Sequence, residues 1–128
     1  MLLAKSMKIV DANILLRYLL NDHADHYEQA VGIIEGLNVY IPFEVFAEVV
    51  YVLEKLYNVP RGAVNVALRT LISYENISTY DKDVLEKALQ IFHKKKIDFV
   101  DSLLLGYNHV KKYKVYSFDK GLNKLLIE

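Results

Sequence analysis

Cysteine and tryptophan are absent from this 128-residue chain, and proline occurs only twice. Without cysteine there is no disulfide framework and no thiolate metal site, which suits a reducing, cytoplasmic compartment. No apolar run approaches the roughly 20 residues of a membrane span, so no membrane partner is expected. Residues 1–6 are too short and too weakly apolar for a secretory signal. Met7 can itself serve as a start, which makes residues 1–6 a candidate dispensable extension. Net charge is missing too: 16 basic and 16 acidic side chains cancel. A nucleic acid must therefore be met by a local patch rather than by a basic whole. Linkers, internal repeats and low-complexity tracts are also lacking. What remains is 53% hydrophobic and 25% charged, a globular composition, and long enough for one core. Residues 1–128 are expected to form a single domain.

The first informative stretch is Ile9-Val10-Asp11. The two apolar residues read as a short buried strand, and the spacing from Ile14 to Leu20 then suits a helix. A second helix is expected from Ala24 to Leu37, and a strand at Val39–Ile41. Pro42 opens a third helix running to about Tyr57, its missing N–H costing nothing there. Pro60 opens a fourth, to about Tyr74. Ile77–Tyr80 is a possible strand, and Asp81 then caps a fifth helix to Lys96. Phe99 to Tyr113 makes a sixth helix, Val115–Phe118 a last clear strand, and Gly121 to Leu126 a short helix. Ile127 is a candidate start of a frayed edge strand. Short apolar strands alternating with helices predict parallel βαβ units with right-handed crossovers. Such strands need helices on both faces, so the expected fold is a three-layer α/β/α sandwich.

Four acids stand out by position. Asp11 ends the first strand, where it is either a helix N-cap or the first ligand of a site at the carboxyl edge of a parallel sheet. Asp119 follows the last strand in the same way. Glu48 lies at the shoulder of the third helix's apolar face, paired with Lys55, turned to water or part of a site, while Glu54 is placed toward water. Asp98 and Asp101 have capping-box spacing, and periodicity alone makes Asp101 structural. If such carboxylates converge they repel one another, so a hard, oxygen-loving cation such as Mg²⁺ or Mn²⁺ is nearly required at neutral pH.

Four ordered blocks resemble the PIN-domain nucleases, and more narrowly the VapC-type toxins of prokaryotic toxin–antitoxin pairs. They are Ile9-Val10-Asp11-Ala12-Asn13, Ala47-Glu48-Val49-Val50, Asp98-Phe99-Val100-Asp101-Ser102 and Ser117-Phe118-Asp119-Lys120. Ala12 and Ser117 stand where the family usually has Thr. The resemblance implies that Asp11, Glu48, Asp101 and Asp119 form the catalytic cluster around Mg²⁺ or Mn²⁺, with Asn13 and Ser117 as polar support. It implies a central parallel sheet of four or five strands in the order 3-2-1-4(-5). It also implies an endoribonuclease acting on RNA, a homodimer and a cognate antitoxin protein. Arg17, one turn past Asn13, and Lys120 are possible substrate contacts.

Other features carry less. Lys94-Lys95-Lys96 is either an RNA guide or a helix-end dipole complement. His23 and His26 read as surface residues, since nothing nearby completes a zinc set. The ten tyrosines look too scattered for a stacking platform. A carboxylate-metal phosphatase is a rival reading, weakened because Asn13 stands where Asp-x-Asp enzymes carry their second acid. A non-catalytic binding module on the same fold is another.

Overall fold

The computed structural model describes residues 7–127, so the proposed extension 1–6 lies outside the described residues. Three two-residue strands, β1 (Lys8–Ile9), β2 (Val39–Tyr40) and β3 (Ile77–Ser78), pair in parallel in the order β1-β2-β3. Around them run α1 (Ala12–Leu20), α2 (Ala24–Gly36), α3 (Phe43–Tyr51), α4 (Arg61–Ile72), α5 (Lys82–Lys94), α6 (Phe99–Lys111) and α7 (Lys120–Leu125). The fold is α/β with a small parallel sheet, as the alternation of strand and helix requires. Leu15, Ile34, Phe46, Leu68, Leu89 and Phe92 are fully buried and belong to one continuous core.

Three expectations need correction. First, Val115–Phe118 is not a strand. The Tyr113 carbonyl accepts from Asn108 Nδ2 at 2.9 Å and the Ser117 carbonyl from Asn123 Nδ2 at 2.9 Å. Side-chain amides thus hold the chain just before the segment and within it, and Tyr116 and Phe118 stand in water instead of in a ladder. The sheet therefore shows three strands of the expected 3-2-1-4(-5) order, with β1 at an edge. Second, Ile9 is exposed rather than buried, and only Val10 turns into the core. Third, Ile127 belongs to no strand among the described residues. Its N–H donates to Asn108 Oδ1 at 2.7 Å and its carbonyl accepts from Asn108 Nδ2 at 3.0 Å, tying Ile127 to α6.

The third helix also departs from a uniform wheel. After Tyr51 it widens into a π-type turn, Val52–Leu56, closed by Tyr57 N–H to the Val52 carbonyl at 3.2 Å. Such a turn holds one more residue than an α-turn and rotates the side chains beyond it about the helix axis. Glu54 is consequently not in open water. Its carboxylate accepts from Arg61 Nε at 2.8 Å. Arg61 Nη1 reaches the carbonyls of Phe92, Lys95 and Ile97 at 2.9, 3.0 and 2.6 Å, and its guanidinium lies 3.9 Å over the Phe92 ring. One side chain thus ties the end of α5 to the residue before Asp98. The Lys94-Lys95-Lys96 run sits at this tied end, where its cations suit the helix dipole.

The tyrosines are not all scattered either. Phe43, Tyr80, Tyr107 and Tyr113 come together with ring centroids 5.7 to 6.3 Å apart between neighbours.

The most extensive helix contact is between α5 and α6, and Gly106 permits it. A Cβ there would lie 2.7 Å from the Val84 carbonyl oxygen. A mid-helix glycine normally costs about 1 kcal/mol against alanine, so its presence reflects close packing. Replacing Gly106 with Ala is expected to force the two helices apart and to cost about 1–3 kcal/mol despite the better helix propensity. Urea denaturation measures this; a more stable variant would show that the approach is not limiting.

Candidate functional site

The carboxyl ends of three parallel strands share one edge, where open α/β sheets place their ligands. Val10-Asp11 leaves β1 there, Pro42-Phe43 follows β2, and Thr79-Tyr80-Asp81 follows β3. Asp11 caps α1, its Oδ1 accepting from Ile14 N–H at 3.1 Å. The cap reading is therefore met, and because it engages one oxygen it leaves the ligand reading open. Asp11 and Asn13 border an open hollow that Ile33 and Leu37 close on the other side.

Asp98 caps α6 by accepting from Asp101 N–H at 2.8 Å. Asp101 stands half-buried in the first turn, and the neighbouring Ser102 hydroxyl donates to the Asp98 carbonyl at 2.9 Å. Asp119 caps α7 by accepting from Leu122 N–H at 2.9 Å, and its own N–H donates to Ser117 Oγ at 2.9 Å. Ser117 therefore supports Asp119 directly. Burial pushes the Asp101 carboxyl above its ordinary value, and the charges of Asp98 and then Asp119 add to the shift. The structure thus brings Asp101 and Asp119 within electrostatic reach and adds Asp98, which the sequence marks only as a cap.

Glu48 is exposed on α3, with no ion partner among the described residues; Lys55 faces Glu54 instead, at 4.0 Å. Neither Glu48 nor Asp11 contributes to the shift at Asp101. Among the described residues, no three carboxylate or imidazole side chains lie close enough to hold one ion. The four acids are therefore not gathered into one closed cage. Mg²⁺, however, is commonly bound by one or two carboxylates, with waters and substrate phosphate filling its octahedron. Asp101 with Asp119 fits that donor chemistry, and a cation would relieve the crowding of like charge around Asp101.

Arg17 Nη1 is held by Asp22 Oδ1 at 2.8 Å, and its Nε is buried without a partner. Lys120 is exposed at the first position of α7. Sequence reasoning missed Arg61, which fixes the approach to Asp98. The signal for it was an acid and an arginine on either side of the Asn58-Val59-Pro60 break. His23 and His26 stack at 4.1 Å on the surface.

The PIN domain family model matches residues 8–125. A VapC ribonuclease of Aquifex aeolicus (strain VF5) is 27% identical over 106 residues, covering 76% of this chain and 75% of that protein. No solved structure matches.

The raised Asp101 carboxyl has a defined sign. Its contribution to folding is fully present below the ordinary value of 3.8 and is lost as pH rises through the higher folded value. In the presence of EDTA, Asp101→Asn should remove that loss and make the protein more stable than wild type near neutrality. The backbone N–H of residue 101 still donates to Asp98 Oδ1. Urea midpoints measured from about pH 4 to about pH 7 check this; parallel pH profiles for the two proteins would refute it.

Proposed function

The chain belongs to the PIN domain family, and from that premise we propose that it is a Mg²⁺- or Mn²⁺-dependent endoribonuclease, the toxin of a VapBC-type pair. The observation that carries the reading is the half-buried Asp101, in the first turn of α6, facing the charges of Asp98 and Asp119. The relative named as a VapC ribonuclease supports it.

In this reading Asp101 and Asp119 hold the ion, and Asp11 and Glu48 complete the acidic set as the substrate enters. The ion, when bound, supplies an activated water and neutralises charge on the scissile phosphate. Ser117 orients Asp119 through the bond its Oγ accepts, and Asn13 lies beside Asp11 in the first turn of α1. Lys120, next to Asp119, meets the substrate phosphate. Arg17 contacts substrate by giving up Asp22. The cognate antitoxin closes the acidic edge, the active species is a homodimer, and the setting is the cytoplasm, where RNA is met. No helix among the described residues is long and apolar enough to cross a membrane.

Asp101→Asn and Asp11→Asn should each lower Mn²⁺-dependent cleavage of single-stranded RNA by roughly 100-fold or more, the cost of removing one preorganised electrostatic group. Their far-ultraviolet circular dichroism should match wild type. Undiminished cleavage by either variant would overturn the assignment of that acid. Release of phosphate from small monoesters with RNA left intact would favour the phosphatase reading.

A further inference from the structure

We propose that Phe43, Tyr80, Tyr107 and Tyr113 form a stacking platform for unpaired bases of single-stranded RNA, set along the same sheet edge as Asp11. The proposal rests on the ribonuclease reading above and specifies how that enzyme seats its substrate.

The rings come from three parts of the chain. Phe43 opens α3 just beyond β2, Tyr80 follows β3, and Tyr107 and Tyr113 flank the end of α6. Thr79 Oγ1 donates to the Ile41 carbonyl at 2.6 Å, which locks the exits of β2 and β3 together and fixes Phe43 relative to Tyr80. Phe43 and Tyr107 are half-buried and form a floor. Tyr80 packs edge-on against Phe43, the rings inclined at 82°, and remains 61% exposed. Tyr113 stacks on Tyr107 with the rings 8° from parallel and is 53% exposed. With one face on Tyr107, Tyr113 turns the other to water, where a base can extend the stack.

Rings this exposed gain little from the core they border. Every nucleobase, by contrast, presents a π-face, and stacking on an aromatic side chain contributes about 1–3 kcal/mol per base whatever the sequence. Cations adjoin the rings. Lys111 holds Asp81, the residue after Tyr80, at 2.8 Å and so offsets its charge. Lys112 and Lys114 flank Tyr113 and line a cleft with Asn108 and Asn123. The platform thus combines ring faces with positive charge for the backbone, the pairing that single-strand binders use. Adjacent strands lie about 4.8 Å apart, so the exits of β1 and β3 are separated by about 10 Å, a short reach for a strand of RNA crossing the edge. The occupant that the lysines favour is a polyanion rather than another apolar protein face.

The test is equilibrium binding of a labelled oligouridylate to the full chain in EDTA, where no cleavage is needed. Wild type should bind, and a Tyr80→Leu, Tyr113→Leu double variant should bind about tenfold or more weakly. A Tyr80→Phe, Tyr113→Phe pair, which keeps the rings, should stay within about twofold of wild type. Duplex RNA, whose bases are already stacked, should not distinguish the three proteins. If the leucine variant does not fold, quenching of wild-type tyrosine emission by the oligonucleotide serves instead; the lack of tryptophan keeps that signal readable. Leucine variants that bind like wild type, no binding by wild type, or no quenching would overturn the platform. So would a leucine variant whose change is confined to oligomeric state in sedimentation, which would mark the rings as a protein interface. Failure of the platform leaves the Asp101→Asn cleavage result untouched, and cleavage by Asp101→Asn leaves the binding result standing.

Discussion

A carboxylate accepting an orphan backbone N–H is the interaction on which most of this structure's organisation depends. Four helices begin on aspartate: Asp11, Asp81, Asp98 and Asp119 accept from Ile14, Val84, Asp101 and Leu122 at 3.1, 3.0, 2.8 and 2.9 Å. Each such cap stabilises its helix by about 1 kcal/mol and engages Oδ1 alone. The other oxygen is then aimed by the helix rather than by a flexible stem. Local folding therefore fixes where negative charge stands before any ligand arrives. Asp81 spends that charge on Lys111, which holds its carboxyl below the ordinary range. Among the described residues no cation acts on Asp101, and burial together with the charges of Asp98 and Asp119 pushes its carboxyl up instead. The contrast between these two aspartates separates a structural acid from a candidate functional one more clearly than their sequence neighbourhoods do.

Local chemistry was legible in the sequence, and competition between partners was not. Pro42, Pro60, Asp81 and Asp98 announce helix starts because capping and fixed backbone angles involve only the next few residues. The end of α6 is less clear. Lys112 adopts a left-handed conformation, φ 62°, and its own Nζ reaches the His109 carbonyl at 3.0 Å, so the helix stops short of Tyr113. Val115–Phe118 reads as a strand, but Asn108 engages the Tyr113 carbonyl before it and Asn123 the Ser117 carbonyl within it. Glu54 was misplaced because a wheel assumes one turn geometry throughout, and the π-type turn breaks that assumption. Asp98 and Asp101 differ in role only through their surroundings, which no spacing reveals.

The two parts of the proposed reading use different physics. At the starts of α6 and α7, the charges of Asp98 and Asp119 act on the half-buried Asp101 carboxyl, and in the proposed reading a divalent ion would neutralise them. Toward the β3 exit, rings and lysines offer stacking and attraction that do not depend on a metal. Arg61 underlies the first half without touching it, since the carbonyls it gathers set the path of the chain into Asp98. Gly106 underlies both, because the close approach of α5 and α6 sets Asp81 and Tyr80 relative to Asp101 and Tyr107.

In the proposed site Asp101 and Asp119 share one divalent cation, with Asp11 and Glu48 joining from neighbouring elements. Nuclear magnetic resonance of the full chain titrated with Mn²⁺ tests it most directly, because the ion broadens amide signals according to their distance from it. An ion in that site makes the amides of Asp98, Asp101, Asp119 and Lys120 fade first, with Asp11 next. Broadening centred elsewhere, or spread evenly over the surface acids, would contradict it.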